Sequence, residues 1–244
     1  MADAPIIVAA HPSDTFGDGT ADLLADLAGG ARVVCVNPQP GRFADMVDEI
    51  DAVRRRLGIS RWVFWGISGG GWLALLHARR HPEATAGVII DGCCACFRRR
   101  LADPACLASP FHPAWRERLA GAAGAHDDPG AAAEAAWTEV PGIGAVLQRG
   151  AQPLFVAPFA IPDAMRRALP EMWAFDAAPW LPELRVPALV IAGTADPIAP
   201  LAHVRAVHEA LAGSTFVAVD GAGHVPTTER RPEVATAVRR FLAS

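Results

Sequence analysis

The sequence predicts an α/β protein with a mostly parallel sheet of about six strands, helices on both faces and a helical insertion. Short apolar segments of strand-forming residues alternate with segments of helical spacing at both ends of the 244-residue chain. Glycine- and proline-rich turns separate these segments. Between residues 97 and 182 the alternation stops, and only helical pieces divided by prolines remain. Alternating strands and helices are typical of a parallel sheet with right-handed crossovers.

The first part of the chain supplies four strands and three helices in alternation. We predict strands over 5–10, 32–36, 62–65 and 86–91, and helices over 20–28, 44–57 and from residue 72 to about residue 80. The first strand ends at a His11-Pro12-Ser13 loop. After the insertion the pattern resumes with strands over 186–192 and 215–219 and helices over 201–211 and 232–242. We therefore assign 1–96 and 183–244 to one α/β core.

The insertion, residues 97–182, holds more than half of the aromatic residues of the chain in about a third of its length. That content predicts a packed helical subdomain and excludes a disordered linker. Its helical pieces are expected over 113–126, 130–140 and 162–175. The aromatic side chains either form the core of this subdomain or line a ligand pocket in part.

Composition limits the class of function. The net charge of −4 gives no basic field for nucleic acid or an acidic membrane. All 22 basic residues are arginine and tyrosine is absent, which excludes lysine Schiff-base chemistry and a tyrosine acid or nucleophile. We expect a small-molecule substrate, no cofactor and no metal.

The five cysteines form no C-x-x-C pair and are odd in number, which indicates reduced intracellular thiols. Cys93, Cys94 and Cys96 are close enough to suggest a metal site, although buried apolar thiols are favoured. No apolar run approaches the ~20 residues of a membrane span, and the N-terminus lacks the basic region of a signal peptide. We expect a cytoplasmic protein.

A strand that turns directly into a helix at Gly66-Ile67-Ser68-Gly69-Gly70 indicates a nucleophile elbow. Ser68 would sit on a tight turn with its Oγ exposed, so that side chains at positions 66 and 70 would collide with the strand or the helix. The N–H of Gly69 would lie at the helix N-terminus, where a developing negative charge is stabilised.

A serine nucleophile needs a base, and the base needs an orienting carboxylate. Among eight histidines, His224 follows the end of a predicted strand in a Gly-Ala-Gly-His turn and is the favoured base. Asp196 ends the preceding strand, and Asp91 ends the strand after the elbow. Ligand sites of open parallel sheets lie at this edge. Asp196 is the favoured carboxylate, and Asp91 is the alternative.

At these residues the chain resembles the α/β-hydrolase family of serine enzymes. The resemblance rests on the elbow, on Gly-Thr-Ala-Asp-Pro at 193–197 and on Gly223-His224, in the order Ser, Asp, His. It covers nearly the whole chain, with the insertion in the place of the helical cap. It implies that Ser68 is the nucleophile, His224 the general base and acid, and Asp196 the orienting carboxylate. It also implies an oxyanion hole formed by the N–H of Gly69 and the N–H of Ser13.

The sequence departs from the family at the loop after the first strand, where Pro12 replaces a glycine and has no N–H of its own. Two antiparallel strands that open the family's sheet have no counterpart here. Six parallel strands then remain, with 32–36 at an edge, and we predict that a loop, the N-terminus or a second subunit of a homodimer covers it.

These observations predict a serine hydrolase that cleaves a small, largely apolar carboxylic ester through an acyl-enzyme. Lactonase and thioesterase chemistry on the same triad, and a ligand-binding member without catalysis, are the alternatives. A capped aminopeptidase is disfavoured because no acidic cluster stands out as an ammonium site. The run Arg98-Arg99-Arg100 is read as a solvated helix end, with contact to an anionic substrate as the second interpretation.

Overall fold

A computed structural model describes residues 5–12, 19–106, 109 and 163–244, without the side chains of residues 163–166 and 169. The strands in these ranges are β1 (Ile6–Ala10), β2 (Arg32–Val36), β3 (Trp62–Ile67), β4 (Thr85–Asp91), β5 (Ala188–Gly193) and β6 (Thr215–Val219). The helices in the same ranges are α1 (Thr20–Leu27), α2 (Phe43–Arg56), α3 (Gly70–Arg80), α4 (Phe97–Ala102), α5 (Asp163–Ala174), α6 (Leu201–Ala210), α7 (Pro226–Glu229) and α8 (Arg231–Leu242).

The six strands form one parallel sheet in the order β2-β1-β3-β4-β5-β6. The predicted fold class is thus confirmed, including the position of β2 at an edge. The chain winds from β1 out to β2 and then returns to place β3 on the other side of β1. Ligand sites of such sheets lie at the carboxyl ends of the strands, where the winding direction changes. The loop after β1 and the turn after β3 flank this point.

Two apolar layers cover the two faces of the sheet. Successive side chains of a strand point to opposite faces, and accordingly Phe64 belongs to one buried cluster and Trp65 to the other. The Phe64 layer is formed with α2, α3 and α6, and the Trp65 layer with α1 and α8. A strand buried on both faces is apolar without alternation, which explains the continuous apolar sequence of β3.

The edge strand β2 is partly covered. Arg32 is exposed, Val33, Val34 and Cys35 are half-buried, and Val36 is buried. Residues 1–4 and 13–18 lie outside the described ranges, so the nature of the cover, including a second subunit, stays a prediction.

The insertion is described in part. Helix α5 (Asp163–Ala174) corresponds to the helix expected over 162–175, whereas those expected over 113–126 and 130–140 lie outside the described residues. The division into a core of 1–96 and 183–244 and a cap of 97–182 therefore stays a prediction. Among the helices of the described ranges, none combines the length and apolar character needed to cross a membrane.

Candidate active site

Ser68 lies on the tight turn between β3 and α3. Its φ of 51° is positive, and within the described ranges no other non-glycine residue has a positive φ. Such a left-handed conformation costs a residue with a side chain about 1 kcal/mol or more and is concentrated at functional sites. The N–H of Ser68 donates a hydrogen bond to the carbonyl oxygen of Asp91 at 2.8 Å, which ties the turn to the end of β4.

The glycines beside Ser68 are required by space. A Cβ on Gly66 would lie 2.4 Å from the carbonyl carbon and oxygen of Gly70, and a Cβ on Gly70 would lie 2.4 Å from the carbonyl oxygen of Ala10. Both distances are far inside van der Waals contact. The expected collision at positions 66 and 70 is therefore confirmed, and the two glycines let the strand, the turn and the helix approach closely.

Ser68, His224 and Asp196 are brought together at the carboxyl edge of the sheet. Oγ of Ser68 lies 3.0 Å from Nε2 of His224, and Nδ1 of His224 lies 2.9 Å from Oδ2 of Asp196. Both His224 and Asp196 are buried. The imidazole thus has a hydroxyl at one nitrogen and a carboxylate at the other, an arrangement in which a histidine can accept a proton from the serine and remain oriented.

The carboxylate of Asp196 is fixed by backbone donors. Its Oδ1 accepts hydrogen bonds from the N–H groups of Ile198 at 2.7 Å and Ala199 at 2.9 Å, which leaves Oδ2 for His224. A Cβ on Gly193, at the end of β5, would lie 2.1 Å from the carbonyl oxygen of Gly223. The end of β5 and the turn that carries His224 therefore pack backbone against backbone.

Glu229, in α7, holds the residues on either side of His224. One carboxylate oxygen accepts the N–H of Gly223 at 2.6 Å, and the other accepts the N–H of Val225 at 3.0 Å. Sequence reasoning missed this residue and the short helix that carries it. The only sequence signal is a carboxylate five residues after the histidine, which has no meaning until the turn is folded.

Asp91, the alternative carboxylate, is not hydrogen-bonded to His224. It is fully buried, and its Oδ2 accepts the hydroxyl of Thr227. Its Oδ1 is buried with no hydrogen-bond partner among the described residues. The pKa of Asp91 is raised to about 7, chiefly by burial; the hydrogen bond from Thr227 and the charge of His224 lower it, and the charge of Asp196 contributes to the rise. The geometry thus favours Asp196 as the partner of His224.

The loop after β1 reaches the elbow. A Cβ built on Gly69 would lie 3.1 Å from Nε2 of His11 and 3.1 Å from Cγ of Pro12. Gly69 immediately precedes α3, where backbone N–H groups lack intrahelical acceptors. Ser13, the expected second donor of an oxyanion hole, lies outside the described residues, so its role stays a prediction.

His77, another buried histidine, serves the core. Its Nδ1 lies 2.8 Å from Oγ1 of Thr85, and Nε1 of Trp62 donates to its Nε2 at 3.4 Å. The pKa of His77 is lowered to about 3, chiefly by burial and in addition by the charge of His81. His77 is therefore neutral, in agreement with its place away from the carboxyl edge of the sheet.

The cysteine cluster after β4 is buried. The thiol of Cys93 donates to the carbonyl oxygen of Cys94, and that of Cys94 to the carbonyl oxygen of Cys96. Burial raises the pKa of both thiols. In the part of the chain described, no three His, Cys, Asp or Glu side chains are grouped as metal ligands.

An aromatic cluster joins α3 to the two described ends of the insertion. Trp72, in the first turn of α3, packs on Phe97 with ring centroids 5.5 Å apart, and Phe97 packs on Trp173 at 4.9 Å. Phe175 lies 5.7 Å from Trp72. These rings belong to the core around α3. Trp180 extends the cluster, with its ring centroid 6.1 Å from that of Phe175. The remaining aromatic residues of the insertion lie outside the described residues: Phe111, Trp115, Trp137, Phe155 and Phe159.

The three arginines of α4 have different surroundings. Arg99 forms an ion pair with Asp176 at 3.0 Å and has a largely exposed side chain. Arg100 is buried, with 6% of its surface accessible. The interpretation of this run as a solvated helix end is thus wrong for Arg100, which packs under the aromatic cluster instead.

The parallel sheet, the strained serine turn and the hydrogen-bonded His–Asp pair define the class of α/β proteins with a Ser-His-Asp constellation. The chain belongs to the alpha/beta hydrolase family, whose model matches residues 8–237. The resemblance inferred from the elbow and the Ser, Asp, His order is thereby confirmed.

Known proteins are similar to this chain over different extents. The proline iminopeptidase of Neisseria gonorrhoeae is 40% identical over 52 residues, which span 21% of this chain and only 17% of that protein. An alpha/beta fold family hydrolase from Bacillus anthracis str. Sterne superposes with a TM-score of 0.73 at 17% identity, covering 97% of this chain and 91% of the other. A thermophilic esterase from Thermogutta terrifontis superposes with a TM-score of 0.63 at 22% identity, covering 98% and 89%. At these identities the two superpositions show the fold alone.

Proposed function

We propose that the protein is a serine hydrolase that cleaves a small, largely apolar carboxylic ester through an acyl-enzyme. One observation carries the proposal: the continuous path from Oγ of Ser68 to Nε2 of His224 at 3.0 Å, and from Nδ1 of His224 to Asp196 at 2.9 Å. In this proposal Ser68 is the nucleophile, His224 the general base and acid, and Asp196 the group that orients the imidazole.

The reaction proceeds in two halves. Oγ of Ser68 attacks the ester carbonyl carbon while His224 takes its proton, and the oxyanion is stabilised by the N–H groups of Gly69 and Ser13. The intermediate collapses, the bond to the alcohol breaks, and His224 protonates the leaving oxygen. Water then attacks the acyl-enzyme with His224 as base, which releases the carboxylic acid and regenerates Ser68.

Lactones and thioesters are alternative substrates of the same groups, because both present an acyl carbon to the serine. Aminopeptidase activity is a second candidate, favoured by the 40% identity over 52 residues to a proline iminopeptidase. A free amino terminus needs a carboxylate to bind it. Near Ser68, the described buried carboxyls are Asp91 and Asp196, which are already bonded to Thr227 and His224.

A fluorophosphonate probe tests the nucleophile. The wild-type protein should be labelled at Ser68, and Ser68→Ala should not be labelled. Ser60→Ala is the matched control, since Ser60 is exposed and lies before β3, and it should be labelled like the wild type. An unlabelled wild-type protein would favour a ligand-binding role without catalysis.

A substrate screen then separates the candidate activities. Hydrolysis should be measured on p-nitrophenyl esters, lactones, acyl thioesters and proline p-nitroanilide, each with Ser68→Ala as the blank. We expect the p-nitrophenyl esters to give the highest kcat/KM. Faster turnover of the proline anilide than of every ester would contradict the proposal and favour the aminopeptidase.

We also propose that the protein acts in the cytoplasm. Among the described residues, which include all five cysteines, no disulfide bond is formed, and thiols stay reduced in a reducing compartment. Fractionation of cells that express the tagged full-length protein would test this.

A further inference from the structure

Arg100 is a buried cation at the start of the insertion. It lies in α4, and 6% of its surface is accessible. Its guanidinium carbon lies 4.6 Å from the ring centroid of Phe97, a cation–π contact that fixes the group without neutralising its charge.

Among the described residues, no carboxylate forms an ion pair with this guanidinium. Nε of Arg100 is buried and has no hydrogen-bond partner among the described residues. Asp176 pairs with Arg99 instead. An uncompensated buried charge is strongly unfavourable, so buried charges in proteins are generally paired or coordinate a metal.

The cysteines beside Arg100 do not supply the missing negative charge. The positive charge of Arg100 lowers the pKa of the Cys93 and Cys94 thiols, but burial is the larger cause and keeps both pKa values above the usual range for a thiol. Both groups are therefore neutral thiols at physiological pH.

Arg100 is connected to the elements that carry the triad through a series of packed residues. Phe97, on which the guanidinium lies, packs on Trp72 in the first turn of α3. Cys93 contacts that same turn, because a Cβ on Gly71 would lie 2.5 Å from Cβ of Cys93. The preceding residue, Gly92, lies against His224, with its added Cβ 2.6 Å from the carbonyl oxygen of the histidine. Phe97 and Cys93 thus connect the segment around Arg100 to the first turn of α3, and Gly92 connects it to the turn of His224.

We propose that Arg100 binds an anionic group of the substrate, and that this group is a carboxylate at the far end of an otherwise apolar chain. The inference rests on the proposed ester hydrolysis and names its substrate class as half-esters of dicarboxylic acids. The planar guanidinium presents paired N–H groups that match the two oxygens of a carboxylate. Binding of the carboxylate would neutralise the buried cation.

The charge of Arg100 also discriminates between the two candidate activities. A cationic amino terminus would be repelled by an unpaired guanidinium, whereas an anionic acyl chain would be attracted. An ester with a terminal carboxylate is therefore favoured over an aminopeptide.

Paired substrates of equal chain length test the proposal. Mono-p-nitrophenyl adipate carries a terminal carboxylate, and p-nitrophenyl hexanoate has a methyl group in its place. The measured quantity is the ratio of kcat/KM for adipate to kcat/KM for hexanoate. We expect a high ratio for the wild type and a fall of about 10- to 100-fold in Arg100→Met, the range for losing a charge-assisted hydrogen-bonded contact.

Arg99→Met is the matched control, since it removes the same charge from the neighbouring exposed position. Its ratio should stay close to that of the wild type. An unchanged ratio in Arg100→Met, or an equal fall in Arg99→Met, would overturn the proposal. If Arg100→Met does not fold, Arg100→Gln replaces it with the same expected and contradicting results.

A binding measurement separates this proposal from the failure of ester hydrolysis. Adipate itself should raise the Tm of the wild type and of Ser68→Ala, and should raise the Tm of Arg100→Met much less. If no ester is hydrolysed but these shifts are seen, the anion site stands and the proposed reaction fails. If adipate shifts the Tm of Arg100→Met as much as that of the wild type, the anion site is wrong, whatever the activity.

Discussion

Glu229 brackets His224: its two carboxylate oxygens accept hydrogen bonds from the N–H groups of the residues immediately before and after the histidine. The imidazole is therefore positioned from two sides, by Asp196 at the ring and by Glu229 at the backbone. The second contact keeps the turn after β6 in the one shape that brings Nε2 to Ser68.

Removal of the two hydrogen bonds that Glu229 accepts should lower activity and stability together. Glu229→Ala leaves two backbone donors without their charged acceptor, which we expect to cost about 1–3 kcal/mol in the free energy of unfolding. Glu229→Gln keeps one acceptor oxygen, so its kcat and its free energy of unfolding should lie between those of Glu229→Ala and the wild type. Urea unfolding and kcat on a p-nitrophenyl ester would measure both effects. A Glu229→Ala protein with unchanged kcat would show that the turn keeps its shape without the hydrogen bonds to Glu229.

Ser68 and His224 should act as one unit. Ser68→Ala and His224→Ala should each lower kcat by at least about 10³, and the double variant should lose little more, because neither group works without the other. His208→Ala is the matched control and should keep most of the activity. His208 lies on α6, and its side chain is hydrogen-bonded to Ser214. Losses that multiply in the double variant would show that the two residues act separately.

The two buried carboxyls should differ in their effect on the reaction. Asp196→Asn cannot hold the imidazole in the same tautomer and should lose on the order of 10² or more in kcat, though less than Ser68→Ala. Asp91→Asn should lose much less, since Asp91 is bonded to Thr227 and not to His224. The assignment is wrong if Asp91→Asn cripples hydrolysis and Asp196→Asn is nearly silent.

Asp91 should make stability depend on pH. Its pKa is raised by burial to about 7 in the folded protein, against about 3.9 in an unfolded chain. The folded state thus binds the proton more tightly, and the contribution of Asp91 to stability is fully present below about pH 4 and lost as the pH rises through about 7.

Asp91→Asn removes this titration. The free energy of unfolding of the variant minus that of the wild type should therefore increase between pH 5 and pH 8, as measured by urea unfolding. A difference that stays constant over this range would mean that Asp91 has an ordinary pKa.

The glycine at position 70 should tolerate no side chain. Gly70→Ala places a methyl group 2.4 Å from the carbonyl oxygen of Ala10, and forced overpacking of this kind costs about 1–3 kcal/mol. Gly41→Ala is the control, because its Cβ would have one neighbour at 3.9 Å. A lower Tm for Gly70→Ala alone is expected. Equal Tm values would show that the β1 and α3 backbones can separate at little cost.

The strands and the members of the triad could be predicted because their signals are local. Segments 32–36 and 215–219 were predicted with the bounds that β2 and β6 have, and each is a short apolar run between turns. Ser68 follows β3 directly, and His224 lies in the turn after β6. For Asp196 the sequence offered Asp91 as an alternative at the same edge, and only the hydrogen bond to His224 favours one of them.

The residues that sequence reasoning missed depend on contacts between distant segments. Arg100 looks solvated within Arg98-Arg99-Arg100, because the sequence does not show Phe97 packing onto Trp72 and enclosing the guanidinium. The short helix α7 is four residues long and has no periodicity to detect. The bonds of Glu229 and the raised pKa of Asp91 also arise only when the carboxyl ends of β4, β5 and β6 meet.

The hydrogen bond between His224 and Ser68 joins residues 156 positions apart in the chain, and this separation has a kinetic consequence. Closing so large a loop costs conformational entropy before any stabilising contact has formed, which makes parallel sheets slow to fold. The elbow itself is local, and Trp62, Trp65 and Trp72 flank the serine within it. During refolding from denaturant, tryptophan fluorescence should therefore recover first, and hydrolysis should return later, when β6 has docked and delivered the histidine.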